Sequence, residues 1–256
     1  MAETPRFAHL MILLLMGAEL SLALSLAIAL GGVIARRRLV TSLAAGAAMA
    51  IAAWYACVLL GVGWLSGEKI LAPGQWKYFC EADCHIAYSV ESVRADQASS
   101  TVLGSRSPYY GRLVVRLKTC FDQNSIARFR GNGPLKPEPR RVVLVDAAGV
   151  EYFPSPETAS AGGATSAPPS TPITQPLRPG EAYTTTFLFE VPRDARDLRL
   201  LITDVDPASR FIIDHENSPF HGKILLRLPK PDDSQNSVVG QAGARGVAPA
   251  RTILAG

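Results

Sequence analysis

Two long apolar runs, joined by Ala35 and an arginine triplet, constrain this chain more than any other feature. The first, residues 10–34, carries Glu19 as its one formal charge, and the second, residues 39–65, carries none. A helix needs roughly 20 residues to cross the hydrocarbon core of a bilayer, so each run is long enough. The pattern predicts a hairpin of two transmembrane helices in a cytoplasmic (inner) membrane. Arg36, Arg37 and Arg38 crowd the turn at 35–38, whereas Arg6 and Lys69 are the basic residues flanking the outer ends. The positive-inside bias then puts the turn in the cytoplasm and both outer ends on the periplasmic or extracellular side. A cleaved signal peptide would have a basic start and a shorter apolar run. Here Glu3 offsets Arg6 in the N-terminal segment 1–9, and the first helix is expected to be retained.

Two polar side chains inside these runs invite a specific reading. Glu19 and Tyr55 are equally far in sequence from Arg37, and antiparallel helices of equal rise bring them to one depth. A carboxylate in an apolar run faces a partner or a cavity rather than lipid. Either the Tyr55 hydroxyl donates to Glu19 within the hairpin, or Glu19 reaches another subunit or is protonated beside lipid.

The rest of the chain reads as one extracytoplasmic domain, with a short linker at 66–74, a folded part at 75–230 and a disordered tail at 231–256. The net charge of +4 and isoelectric point near 9.0 do not indicate nucleic acid, because three positive charges are the turn arginines and the others alternate with acids. All four methionines fall between Met1 and Met49, which leaves the soluble part without a thioether ligand. Cys57 lies in the second run, and Cys80, Cys84 and Cys120 lie beyond it. Three cysteines in an oxidising compartment imply one disulfide and one thiol.

From residue 75 the periodicity becomes that of strands. Residues 85–93 and 112–121 alternate every two residues, and 141–145, 183–191, 198–203 and 224–228 are further short apolar or β-branched runs. Turns marked by Pro and Gly separate them, which predicts an all-β antiparallel sandwich. The stretch 155–176, rich in Ala, Gly, Ser, Thr and Pro, reads as a mobile insert. If Ile86, Tyr88 and Val90 face the core opposite Leu113, Val115 and Leu117, facing residues have odd index sums. Cys84 and Cys120 then point to opposite faces. Cys80–Cys84 and Cys80–Cys120 remain open, and the second is preferred.

Residues 141–152 end a strand in Asp146 and Gly149 with Tyr152 following. Later, Pro179-Gly180-Glu181 opens a strand that closes with Val191-Pro192. This cadence resembles a family of bacterial envelope domains of unknown function with an immunoglobulin-like (telokin-like) β-sandwich, allied in fold to a secreted mycobacterial antigen. The resemblance spans 75–229 and implies a fold and a location, with no catalytic residues to carry over.

Cys80-Glu81-Ala82-Asp83-Cys84-His85 is the sharpest local motif. Two helices followed by an exported sandwich with Cys-x-x-x-Cys is similar to subunit II of the haem-copper oxidases. That family has Glu where Ala82 stands, places the motif near the end of its domain, and needs a later Met. Reduced Cys80 and Cys84 with His85 offer soft ligands for Cu(I) or Zn²⁺, and a disulfide near the first strand is the alternative. Asp214, His215, Glu216 and His221 form a second cluster, able with His85 to hold a metal or to make a polar turn. Arg128, Arg130, Arg140 and Arg141 offer forked donors for a carboxylate or phosphate, and are the expected ligand-facing residues. No nucleophile elbow, phosphate loop or zinc-protease helix is present. The chain is therefore expected to be a non-enzymatic, cofactor-free envelope module, anchored in the lipid bilayer, that binds a partner protein or envelope ligand. A metal or redox protein and an accessory subunit of a transporter or membrane complex are the rival readings.

Overall fold

The structure, a computed structural model, describes residues 8–79, 85–95, 110–125, 130–155 and 170–230. Cys80, Cys84, Arg128, most of the N-terminal segment 1–9, the middle of the 155–176 insert and the 231–256 tail lie outside the described residues.

Both apolar runs are helices, α1 (Ala8–Ile34) and α2 (Arg38–Leu65), and they pack as an antiparallel pair. The hairpin is tight. Gly32 faces Thr41 so closely that a Cβ there would meet its hydroxyl, and that hydroxyl bonds to the Arg37 carbonyl oxygen. Ala44 and Ala48, one turn apart on α2, are buried, the small-residue spacing that lets helix backbones approach. Leu13, Leu20, Leu24, Leu30, Leu43 and Met49 instead point outward and stay exposed.

The β-rich part is a two-layer sandwich. Among the described residues nine strands follow α2: β1 (Lys69–Leu71), β2 (Lys77–Phe79), β3 (Ile86–Ala95), β4 (Tyr110–Phe121), β5 (Arg140–Val145), β6 (Glu151–Tyr152), β7 (Ala182–Pro192), β8 (Arg199–Asp204) and β9 (Ile224–Arg227). One sheet runs β1-β9-β8-β5-β6 and the other β2-β3-β4-β7. Tyr88, Val90, Leu117, Phe121 and Phe189 of the second sheet meet Val142, Leu144, Leu200, Ile202 and Leu226 of the first in one buried core. Alternation explains this: residues two apart on a strand share a face.

The predicted odd parity holds from Ile86 to Val90 and is lost beyond it. Ile86 faces Phe121, Tyr88 faces Thr119 and Val90 faces Leu117. Between Val90 and Ser92 the ladder shifts by one residue, and this bulge turns Val93 to the core opposite Val115. The Asp146 turn is also accounted for. Its carboxylate accepts the backbone N–H groups of Ala148 and Val150, both at 2.9 Å, and the Tyr152 hydroxyl at 2.8 Å. Gly149 supplies the positive φ of 79° that the turn needs.

Three expectations need correction. The sandwich is not wholly antiparallel, because β1 pairs parallel with β9. The 66–74 linker contains that strand, so the helix runs almost directly into the sheet. The ends of the 155–176 insert are tied down: the Ser155 N–H bonds to the Leu188 carbonyl, Ser170 and Thr186 exchange bonds, and the Tyr183 hydroxyl donates to the Ile173 carbonyl while Ile173 packs on the core.

The sandwich leans on α2. The Tyr55 hydroxyl donates to the Phe211 carbonyl oxygen at 2.6 Å, the Gly222 N–H to Ser66 Oγ at 2.8 Å, and the buried Gly63 abuts the Pro219 carbonyl. The Tyr55 hydroxyl is thus donated to the sandwich and not to Glu19, which is exposed on α1. A Cβ at Gly63 would collide with Pro219 backbone. Gly63→Ala is therefore expected to cost about 1–3 kcal/mol by overpacking. Limited proteolysis in detergent checks it, with faster cleavage near 211–221 than in the wild type.

Candidate functional site

One buried ammonium holds the candidate site together. Lys77 on β2 is 3% exposed. Its Nζ donates to Glu216 Oε2 at 2.6 Å and to the carbonyls of Ile202 at 2.5 Å and Ile224 at 2.9 Å. The β8–β9 ladder ends at Leu201 and Leu225, so these two carbonyls belong to the pair that would come next. Lys77 fills the gap left where the strands diverge. Burial pushes its pKa below the ordinary lysine range, against the pull of the Glu216 carboxylate.

Around this post the segment from β8 to β9 is folded by its own polar side chains. Asp206 caps the 3-10 helix Pro207–Phe211, accepting the Ala208 N–H. Asn217 donates to the Asp204 carbonyl at 2.9 Å and to Ser209 Oγ at 3.0 Å. Ser209 and Ser218 each donate to a carbonyl, those of Asp206 and His215, so both hydroxyls serve the loop. Asp204 is engaged by Arg140 at 3.1 Å.

Between this loop and the end of β5 lies an open, polar cleft of about 580 Å³, with Arg141, Asp204, Asp206, Arg210, Asn217 and Lys223 on its walls. Its acids are spent on structure. Its cations are not fully so. Arg141 pairs with Glu151 at the rim, and Lys223 donates to the Glu216 carbonyl. Arg210 has no ion pair among the described residues. Burial lowers the Lys223 pKa, and the charges of Arg141 and Arg210 push the same way against Glu216 and Glu151. Three cations therefore converge on one concavity, an arrangement suited to a carboxylate or phosphate.

The residues expected from sequence divide clearly. Of the four ligand-facing arginines, Arg141 lines the cleft. Arg140 does not face ligand: its side chain is buried, stacked 4.3 Å over the Phe79 ring and paired with Asp204. Arg130 lies 4.8 Å over Phe121 and donates to the Gly133 carbonyl, so it shapes its own loop. Arg210 and Lys223 were missed because nothing in their local sequence separates them from solvated charges; only the fold gathers them. Lys77 was missed because β2, only three residues long, carries almost no periodic signal and was not expected as a strand.

The metal candidates are dispersed into other tasks. His85 is buried against Phe121, with ring centroids 4.9 Å apart. Glu216 holds Lys77, and His215 Nδ1 accepts the Asn217 N–H at 3.0 Å. His221 Nε2 faces Asp214 at 3.3 Å. No group of three or more His, Cys, Asp or Glu able to hold a metal forms among the described residues. Cys120 carries a free thiol, which corrects the preferred Cys80–Cys120 bridge. It sits opposite Ala87 and Ala182 in the sheet, on the face away from the core. Burial, with the nearby Asp122 carboxylate, pushes this thiol above its usual pKa. Asp122 also accepts the Tyr78 hydroxyl at 2.8 Å, and that phenol is pushed up to about 12, by burial first and then by the bond.

No family model matches this chain, and no curated protein matches its sequence. Among solved structures it is similar to MPT63, a secreted protein from Mycobacterium tuberculosis, at 12% identity and a TM-score of 0.35, covering 62% of this chain and 97% of that one. It is also similar to the yjhA protein from Bacillus subtilis, at 14% identity and a TM-score of 0.34, covering 62% and 98%. An uncharacterized β-sandwich protein from Clostridium difficile 630 matches at 9% identity and a TM-score of 0.34, covering 64% and 96%.

Two outcomes check the site's architecture. Lys77→Ala leaves Glu216 buried without its partner and is expected to cost about 3–5 kcal/mol, read by urea unfolding in detergent. The second concerns His215, whose pKa burial lowers despite Glu216 and Asp204, with His221 and Lys77 acting in the same direction as burial. The unfolded chain then takes up this proton first, so the contribution is complete above the unfolded value of about 6.5 and is lost as pH falls below it. The melting temperature should drop across that interval, and His215→Gln should flatten the drop.

Proposed function

We propose that this chain is an inner-membrane envelope protein in which α1 and α2 span the bilayer, their arginine turn in the cytoplasm, and an immunoglobulin-like sandwich binds an anionic ligand or partner outside. The reading involves no catalysis. Both helices are long and apolar enough to cross a membrane, and their outward leucines are exposed as lipid-facing residues are. The observation that carries the binding role is the cleft: Arg141, Arg210 and Lys223 line one concavity in which Asp204 is paired with Arg140 and Asp206 caps the 3-10 helix. The loops of a sandwich are where such folds carry recognition.

Inorganic phosphate is the first probe. Added at constant ionic strength in place of chloride, it is expected to raise the melting temperature of the detergent-solubilised chain, because a ligand that binds only the folded state stabilises it. Arg210→Glu should abolish the increment without lowering the melting temperature in chloride. Equal melting in both salts would show that the cleft is not an anion site. Orientation is checked separately: protease added to intact spheroplasts should cut the sandwich within 156–169, and protection until the membrane is ruptured would reverse the topology.

A second reading, an accessory subunit of a membrane complex, is favoured by Glu19, which α1 leaves exposed within its apolar surface. A carboxylate in that position is expected to face a partner helix. Glu19→Gln should then abolish co-purification of a membrane protein in mild detergent while the hairpin still inserts. Unchanged co-purification would leave the anchor without that role.

A further inference from the structure

We infer that the 205–221 loop is seated in the outer leaflet, with Phe211 and Phe220 among the lipid and the loop's backbone held there by α2. The inference rests on the proposal that α2 spans the bilayer, and it adds a second, monotopic contact that the helices do not require.

Depth is the first argument. Roughly 20 helical residues span the hydrocarbon, so a core beginning at Leu39, just past the arginine turn, ends near Val58. At 1.5 Å per residue, Tyr55 lies about 5 Å inside that edge and Gly63 about 8 Å outside it. The loop touches α2 at both levels, Phe211 through its carbonyl at Tyr55 and Pro219 through its carbonyl at Gly63. It therefore runs along the helix across the interface between headgroups and acyl chains.

The second argument is exposure. Phe211 is 60% and Phe220 75% exposed, and Phe220 has a positive φ of 63°. A bulky residue held in the left-handed region is a costly conformation. Here it leaves an apolar ring uncovered, a result without benefit in water and useful against lipid. Trp64, 82% exposed, lies one residue past Gly63 on the same stretch of α2, in the zone where aromatic rings sit at membrane interfaces.

The third argument is backbone satisfaction. A carbonyl at the edge of the hydrocarbon needs an internal donor, because water is not there to supply one. The Tyr55 hydroxyl is that donor for Phe211, at 2.6 Å. Arg210 precedes Phe211 and opens into the polar cleft, so its charge lies toward the headgroups while the neighbouring ring goes down.

The experiment uses the full chain in phosphatidylcholine vesicles, with Trp54, Trp64 and Trp76 replaced by Phe so that one introduced tryptophan reports. Phe220→Trp, and independently Phe211→Trp, should give blue-shifted emission that loses intensity when the vesicles carry acyl-chain-brominated phosphatidylcholine. Val150→Trp is the comparison site. It lies beyond the far end of β5, whose five residue steps from Arg140 to Val145 cover about 17 Å, and it should emit as a water-exposed residue without that loss. Tyr55→Phe should reduce the quenching at position 220. Emission at both 211 and 220 equal to that at 150, in protein that still resists carbonate extraction, overturns the seated loop and leaves the spanning helices intact. Extraction by carbonate overturns both.

Discussion

Lys77 is the point at which the sandwich, its loop and its cleft are joined. The ammonium belongs to one sheet, its two carbonyl acceptors to adjacent strands of the other, and its carboxylate partner to the connection between those strands. A buried ion pair is poor evidence of net stability, since desolvation offsets most of the attraction. What it supplies is specificity. With Ile202 and Ile224 splayed beyond the end of their ladder, two unsatisfied carbonyls would mark the gap. One charged group with several donors satisfies both and fixes where the loop bearing Glu216 must turn.

That fixed turn carries consequences outward. Asn217, adjacent to Glu216, ties the loop to Asp204 and Ser209, and Ser218 and the following residues bring Pro219 against Gly63. The same segment thus forms one wall of the cleft and the contact with α2. On the proposed topology, the cleft opens close to the membrane surface, with Arg141, Arg210 and Lys223 on its walls. Positioning there follows from the short path out of the helix: Lys69 enters a strand four residues after Leu65 ends α2.

The parts of the fold that were legible in sequence share one property, short-range pattern. Helix lengths, the six principal strands, the parity of facing residues at the start of β3 and the Asp146 turn all follow from apolar run length, from alternation or from side-chain bonds within a few residues. The bulge at Glu91 did not, because a single extra residue leaves the alternation on either side looking regular. Strand β1 was unreadable as well. Three residues carry almost no periodic signal, and its partner β9 lies at the far end of the domain, so only tertiary pairing defines it.

The site was less legible than the fold for a related reason. Arg128, Arg130, Arg140 and Arg141 were grouped by adjacency in sequence, yet strand alternation sends Arg140 into the core and Arg141 to the rim. Adjacency on a strand predicts opposite faces, so a run of two arginines there is evidence against a shared surface. The cations that do converge come from β5, the 3-10 helix and the residue before β9, three separate elements that sequence adjacency does not group. Tyr55 makes the same point inside an apolar helix. Its hydroxyl was expected to meet the one intramembrane carboxylate at equal depth, but the loop of another layer presents a backbone carbonyl. On the proposed topology, a neutral carbonyl at the edge of the hydrocarbon needs that donor more than a carboxylate that can be protonated or paired elsewhere, and the bond couples α2 to the sandwich.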